Sequence, residues 1–100
     1  MARNFTSETI ILTKEAWIAA KNYDRTQRGY KPLSEAFIER TWNQCFRNSG
    51  ANPATHPIAE NEIRVDRDSF YLDLEHIKAM LVNAGLSWRE DGYMVEGIYL

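Results

Sequence analysis

The last residues of the chain, SWREDGYMVEGIYL from Ser87 to Leu100, decide which fold the sequence predicts. Polar and apolar side chains alternate on both sides of Asp91-Gly92, and such alternation is typical of half-buried strands. An Asp-Gly pair is a strong signal for the two-residue turn of a β-hairpin, because that turn requires a positive φ at its centre. The stretch therefore predicts a C-terminal β-hairpin with Asp91 and Gly92 at its turn.

The alternation gives this predicted hairpin two different faces, because side chains along a strand point to opposite sides in turn. One face carries the residues that helices can readily cover, which are Leu86, Trp88, Tyr93, Val95 and Tyr99. The opposite face carries Ser87, Arg89, Met94, Glu96, Ile98 and Leu100. Its three apolar residues need a cover, for which the candidates are the first helix, the segment from Ile10 to Leu12, or another protein chain.

Upstream of the hairpin, the sequence predicts two short strands and three helices. The strands are the β-branched run from Glu8 to Leu12 and the alternating run from Ile63 to Val65. The first helix spans about 14 to 24 with Thr13 as its cap, or alternatively begins at Ser7. Apolar residues at three- and four-residue spacing predict the other two helices. The second follows the cap Ser34, and the third follows the cap Asp68 and ends at Gly85.

The predicted order is strand, helix, helix, strand, helix, hairpin. It corresponds to an α+β fold in which three helices pack with a small antiparallel sheet, in a winged-helix-like order of elements. A chain of 100 residues suits a single domain over residues 1–100. The hydrophobic share of 44% is that of a globular protein and not of a disordered one.

The side chains that usually carry catalysis or bind metals are few and scattered. Cys45 is the only cysteine and lies within an apolar helical pattern, and His56 and His76 have no second ligand at a regular spacing. The five glycines lie apart from one another, so the chain has no phosphate-binding loop. We therefore predict a protein that is not an enzyme and that uses no cofactor.

Charge is distributed unevenly along the chain. Residues 1–50 hold eight basic and five acidic side chains, a net charge of +3, whereas residues 51–100 hold four basic and nine acidic ones, a net charge of -5. The N-terminal residues show no secretory signal, and no apolar run approaches the ~20 residues of a membrane span. The expected location is the cytoplasm, without membrane contact.

The basic residues concentrate between Lys21 and Lys31, which supports a nucleic-acid hypothesis. Cations and aromatic rings able to stack on bases alternate there, namely Lys21, Tyr23, Arg25, Arg28, Tyr30 and Lys31. The third helix and the hairpin, which would meet duplex DNA in a winged-helix reader, carry carboxylates that oppose contact with phosphates. A solvated loop fits the sequence pI of about 5.6 better. Nucleic-acid binding is therefore the second candidate function.

The first candidate function is the binding of another protein. The second face of the hairpin combines apolar and charged side chains as protein interfaces do, and its predicted partner-binding residues are Arg89, Met94, Glu96, Ile98 and Leu100. Its acidic residues favour a partner with a basic surface. The sequence thus predicts a small inhibitor, adaptor or regulator that acts by contact with another protein or with a second copy of itself.

Overall fold

The computed structural model describes the backbone of residues 3–43, 45–66 and 73–99, and the side chains of residues 6–43, 47–66 and 73–96. Within these ranges the elements are β1 (Arg3–Thr13), α1 (Lys14–Gln27), α2 (Glu35–Trp42), a 3-10 turn (Cys45–Asn48), β2 (Glu62–Val65), α3 (Leu74–Asn83) and β3 (Arg89–Tyr99). Three helices and a three-stranded antiparallel sheet confirm the predicted α+β class.

The sheet has the strand order β2-β1-β3, so β1 lies at its centre. The second half of β1 pairs with β2, from Ile10 opposite Val65 to Thr13 opposite Glu62. On its other side β1 pairs with β3 along nearly its whole length. In the described residues, the first half of β1 has β3 as its single strand neighbour, and we call this two-stranded part, residues 3–8 with residues 94–99, the ribbon.

One face of the sheet holds the hydrophobic core. Ile10 and Leu12, two positions apart on β1, both point to this face and pack against side chains from α1 and α3. The buried members of the cluster are Ile10, Leu12, Trp17, Ala20, Ile63, Val65, Ile77, Met80 and Leu81. Burial of their apolar surface is the main stabilising contribution of this layer.

The helix starts follow local sequence signals. Thr13 caps α1, its Oγ1 accepting a hydrogen bond from the Ala16 amide at 3.1 Å, and Ser34 caps α2 in the same way. Ser7 lies within β1, which rules out the alternative start of α1. The helix α1 continues to Gln27, so the predicted loop after residue 24 begins later than expected.

The third helix is described from Leu74, with Asp73 at its N-cap position. The predicted cap Asp68 lies outside the described residues. At the other end Gly85 has a φ of 72°, the left-handed conformation that closes a helix and that glycine adopts without strain.

The predicted C-terminal hairpin is wrong, because Asp91 and Gly92 lie inside one continuous strand, β3. Glu8 of β1 is opposite Met94 and Ile10 is opposite Glu90, so the three residues from Asp91 to Tyr93 face the single residue Thr9. This is a β-bulge. Glycine adopts positive φ in a bulge as it does in a turn, and Gly92 has a φ of 80°. The order of elements up to β3 agrees with the winged-helix-like prediction.

Candidate functional site

The bulge in β3 receives a buried charged side chain from β2. Arg64 is 1% exposed, and its guanidinium donates to both carboxylate oxygens of Asp91, from Nε to Oδ2 at 2.5 Å and from Nη2 to Oδ1 at 3.1 Å. This bidentate geometry joins the two edge strands across the central strand β1. The pair lies on the sheet face opposite the hydrophobic core, because Arg64 alternates with the core residues Ile63 and Val65.

Thr9 of β1 occupies the space between these two strands. Its hydroxyl lies 2.7 Å from Asp91 Oδ2 and 2.8 Å from the Tyr93 carbonyl oxygen, so its one proton can be donated to either acceptor. The Tyr93 ring covers the arginine, with 5.5 Å between its centroid and Arg64 Cζ. These contacts hold the bulge in a defined shape.

The connection between the 3-10 turn and β2 closes over the same face. Arg64 Nη1 donates to Asn48 Oδ1 at 3.2 Å, and Arg64 Nη2 donates to the His56 carbonyl oxygen at 3.0 Å. The Ser49 hydroxyl donates to the Arg64 carbonyl oxygen at 2.8 Å. One guanidinium thus ties a proline-containing loop, an edge strand and a bulge together.

The electrostatics of the pair favour its charged form. Burial alone would raise the pKa of Asp91, but hydrogen bonds from Arg64 and Thr9, together with the Arg64 charge, lower that pKa below its ordinary value. Every buried side-chain nitrogen and oxygen of the described residues has a hydrogen-bond partner. The network therefore has the properties of a structural ion pair, and it shapes the strand on which the predicted partner-binding residues lie.

The outer edge of β3 is the first candidate surface. No described strand pairs with that edge, so its outward N–H and C=O groups can receive another strand. On the C-terminal side of the bulge, β3 pairs regularly with β1 from Met94 to Tyr99. Met94 is 43% exposed, and no member of the hydrophobic cluster described above covers it.

Carboxylates flank this exposed methionine. Glu8 is directly opposite Met94 and therefore shares its face, and Glu96 follows two positions along β3 on that face too. A cleft of about 390 Å³ adjoins the ribbon at the start of α3. It is lined by Thr6, Ser7, Glu8, Asp73, Leu74, Glu75 and Lys78, with three carboxylates against one amine. The surface near Met94 is acidic.

The structure places the other predicted partner-binding residues as follows. Arg89 lies on β3 on the N-terminal side of the bulge. Its Nη2 donates to Glu62 Oε1 at 2.9 Å, so the Arg89 side chain points toward β2. Ile98 belongs to the ribbon, opposite Asn4. Leu100 lies outside the described residues. A bulge in place of a turn therefore separates Arg89 from Met94 and Glu96 along one strand.

The basic segment yields a second candidate surface, although only part of it. Lys21, Arg25, Arg28 and Tyr30 line a common pocket beside α2. Tyr23 belongs to α1 and packs against the hydrophobic core. Lys31 does not line the pocket, although its carbonyl oxygen accepts a hydrogen bond from Arg25.

The sequence does not indicate that some of these residues shape the sites. The pattern around Arg64 predicts a solvent-facing residue of an alternating strand, and Thr9 is one β-branched residue among several. Leu33 and Phe37 read as helix-associated apolar residues, yet both line the basic pocket. Their roles depend on chain segments that are remote in the sequence.

Comparison with models of known families, with curated proteins and with solved structures finds no match to this chain. Among the described residues no helix is long and apolar enough to cross a membrane, and no group of three or more His, Cys, Asp or Glu side chains is placed to hold a metal ion.

Proposed function

We propose that this chain is a small protein-binding module that acts by contact, without catalysis, through the outer edge of β3. The single observation that supports the proposal is the position of this strand of 11 residues at the edge of the sheet. A strand in that position presents a row of unpaired backbone groups to an extended segment of another chain. Backbone hydrogen bonds supply affinity in this mode, and alternate side chains supply specificity.

The side chains beside the edge define the partner. Met94 offers apolar contact, and Glu8 and Glu96 share its face of the sheet. An added strand matches both features when the side chains on the face it shares with Met94, at every second position, are basic and apolar in turn, because the basic residues then meet carboxylates and the apolar residues meet the methionine. The proposed partner is thus an extended basic segment of another protein, and the chain serves as an inhibitor, adaptor or regulator of it.

A synthetic lysine-valine peptide with the repeat Lys-Thr-Val-Thr tests this function, because it carries lysine and valine in turn on one face and threonine on the other. We expect it to bind and to shift the amide NMR resonances of Met94, Val95 and Glu96 more than those of α1. The same peptide methylated on its backbone nitrogens should not bind, because it can no longer donate to the strand edge. A glutamate-valine peptide should bind at least tenfold more weakly, a difference of about 1.4 kcal/mol.

A matched pair of variants locates the contact. Met94→Ser removes the apolar side chain beside the edge, and Val82→Ser removes another exposed apolar side chain, 64% exposed on α3. We expect Met94→Ser to weaken the lysine-valine peptide about fivefold, which corresponds to roughly 1 kcal/mol of apolar contact, and Val82→Ser to leave it unchanged. Equal effects of the two variants, or equal binding of the methylated peptide, would contradict strand addition at β3.

A further inference from the structure

A pocket of about 180 Å³ lies between the end of α1 and the start of α2. Its lining consists of Lys21, Asp24, Arg25, Arg28, Tyr30, Leu33 and Phe37. The spacing of Lys21, Arg25 and Arg28 places them on one face of α1, because residues three and four apart are neighbours on a helix. The chain then reverses and brings Tyr30, Leu33 and Phe37 against that face.

Hydrogen bonds hold the walls of this pocket. The Leu33 amide donates to Asn22 Oδ1 at 2.8 Å, which fixes the segment before α2 against α1. Arg25 Nε donates to the Lys31 carbonyl oxygen at 2.5 Å, and the Tyr30 amide donates to the Arg25 carbonyl oxygen at 2.8 Å. The pocket is therefore formed before any ligand arrives, which reduces the ordering cost of binding.

Positive charge dominates the lining, with three cations against the carboxylate of Asp24. Arg28 Nε donates to Asp24 Oδ1 at 3.2 Å, and this bond uses one of the five N–H donors of a guanidinium. Burial is the main cause that lowers the pKa of Lys21; Asp24 acts against this shift, and the charges of Arg28 and Arg25 add to it. An anion in the pocket would relieve the repulsion among these cations.

Aromatic surface lies beside these charges. Tyr30 is 60% exposed and Phe37 is 38% exposed, and both line the pocket. The Arg25 guanidinium carbon lies 5.7 Å from the centroid of the Tyr30 ring, so a planar cation and a ring already stand together. Exposed rings beside guanidinium groups are the features that stack a base and bind its phosphate.

We infer that this pocket binds a nucleoside phosphate, as one nucleotide of a single-stranded nucleic acid or as a free nucleotide. The arginines and Lys21 would contact the phosphate of this nucleotide and the neighbouring phosphates of the strand, while the base stacks at Tyr30 and Phe37. The volume is smaller than that of pockets for drug-sized ligands and suits one ring system. A duplex would hold its bases stacked away from the rings. This site is separate from the β3 edge and does not depend on the proposed protein binding.

Fluorescence anisotropy with a labelled single-stranded oligouridylate tests the inference, with the labelled duplex and an unlabelled mononucleotide as further arms. We expect the single strand to bind at low salt and the duplex to bind at least tenfold more weakly. With three cations on phosphate, the slope of log K against log salt should be about -2. Displacement of the strand by millimolar mononucleotide would assign the chemistry to a free nucleotide, and its absence would assign it to the strand.

Variants that keep the fold locate the binding. Arg25→Gln combined with Arg28→Gln should weaken the strand at least tenfold and bring the salt slope to about -0.7. Tyr30→Leu should weaken binding about fivefold without changing the slope, because it removes stacking and leaves the charges. Lys78→Gln combined with Arg89→Gln, which removes the same two positive charges outside the pocket, is the control. Equal loss in the control, no binding at low salt, or tighter binding of a glutamate-tyrosine copolymer than of the oligonucleotide would overturn the inference.

Discussion

At the scale of single residues, the Asp91 carboxylate decides whether Arg64 can remain charged inside the protein. The Arg64 side chain is 0% exposed and that of Asp91 is 8% exposed, so neither charge is compensated by water. We expect Asp91→Asn to lower the free energy of unfolding by about 3 kcal/mol, because it leaves a buried guanidinium without its counter-charge. Chemical denaturation of both proteins at neutral pH measures the difference.

Two comparisons separate this effect from a general loss of surface charge. Asp24→Asn breaks the ion pair with Arg28, whose side chain is 45% exposed, and should cost less than about 1 kcal/mol. Adding Arg64→Met to Asp91→Asn should recover part of the loss, because it removes the unpaired charge. An Asp91→Asn protein as stable as the Asp24→Asn protein would show that the Arg64 charge is compensated by other groups.

The same carboxylate makes stability depend on pH in the acid range. The pKa of Asp91 in the folded protein lies below its ordinary value of 3.8, so the unfolded chain binds this proton first as the pH falls. The stabilisation is complete above about pH 5 and is lost as the pH falls through the folded pKa. Urea denaturation between about pH 5 and pH 2 should show a shallower loss of stability for Asp91→Asn than for the unmodified protein. Glu62, whose pKa the Ala59 amide lowers most, keeps part of the slope in both.

Arg64 also shows why residue-level roles were not predictable. In the sequence it alternates with Ile63 and Val65, which indicates a strand with one buried and one solvated face. Its face is buried because residues 47–61 fold over it and because Asp91 arrives from β3. Both partners are remote in the sequence, and an alternating pattern carries no information about them.

At the scale of elements, the bulge depends on Gly92. Its φ of 80° is a conformation that side chains with a Cβ rarely adopt, and a Cβ built there meets nothing within 4 Å. Gly92→Ala should therefore lower the free energy of unfolding by about 1 kcal/mol through backbone strain and not through a clash. Gly92→Asn should cost less, since asparagine tolerates positive φ better than alanine. Thermal unfolding of the two variants makes the comparison, and a larger loss for asparagine would contradict a backbone cause.

The helix caps, unlike the Asp-Gly pair, allow a correct prediction from the sequence. Thr13 and Ser34 cap helices by bonds to amides three residues away, so the signal and the structure are local and the starts of α1 and α2 are predicted correctly. An Asp-Gly pair indicates positive φ but does not say whether the strand then turns or bulges. The choice is made by β1, which extends from Arg3 to Thr13 and offers β3 a partner along its length. A hairpin would have needed no such partner.

At the scale of the whole molecule, the sheet separates an apolar layer from a polar one. Helices cover one face with apolar side chains, and a loop tied to Arg64 covers the other with polar contacts. Both covers lie over the three-stranded part of the sheet, whereas the ribbon extends past β2. The bulge divides the predicted faces of the hairpin, because Trp88 packs against the hydrophobic core whereas Tyr93 covers Arg64 on the opposite side of the sheet. The predicted alternation holds only locally, where Met94 and Glu96 are exposed and Val95 is half-buried. The α+β class follows from periodicity, but the open edge follows only from the strand order.

This division predicts an order of protection against amide hydrogen exchange. Ile10 and Ile11 each have one partner on β2 and one on β3, so their amides should exchange through global unfolding. Amides of Met94 to Glu96, in the two-stranded ribbon, should exchange at least tenfold faster, a free energy about 1.4 kcal/mol lower. Amide exchange measured by NMR at two protein concentrations tests this order of protection and shows whether a second copy of the chain binds the edge. Ribbon protection that rises with concentration identifies a second copy as the occupant of the β3 edge. Ribbon protection equal to that of Ile11 in dilute solution would contradict an open edge.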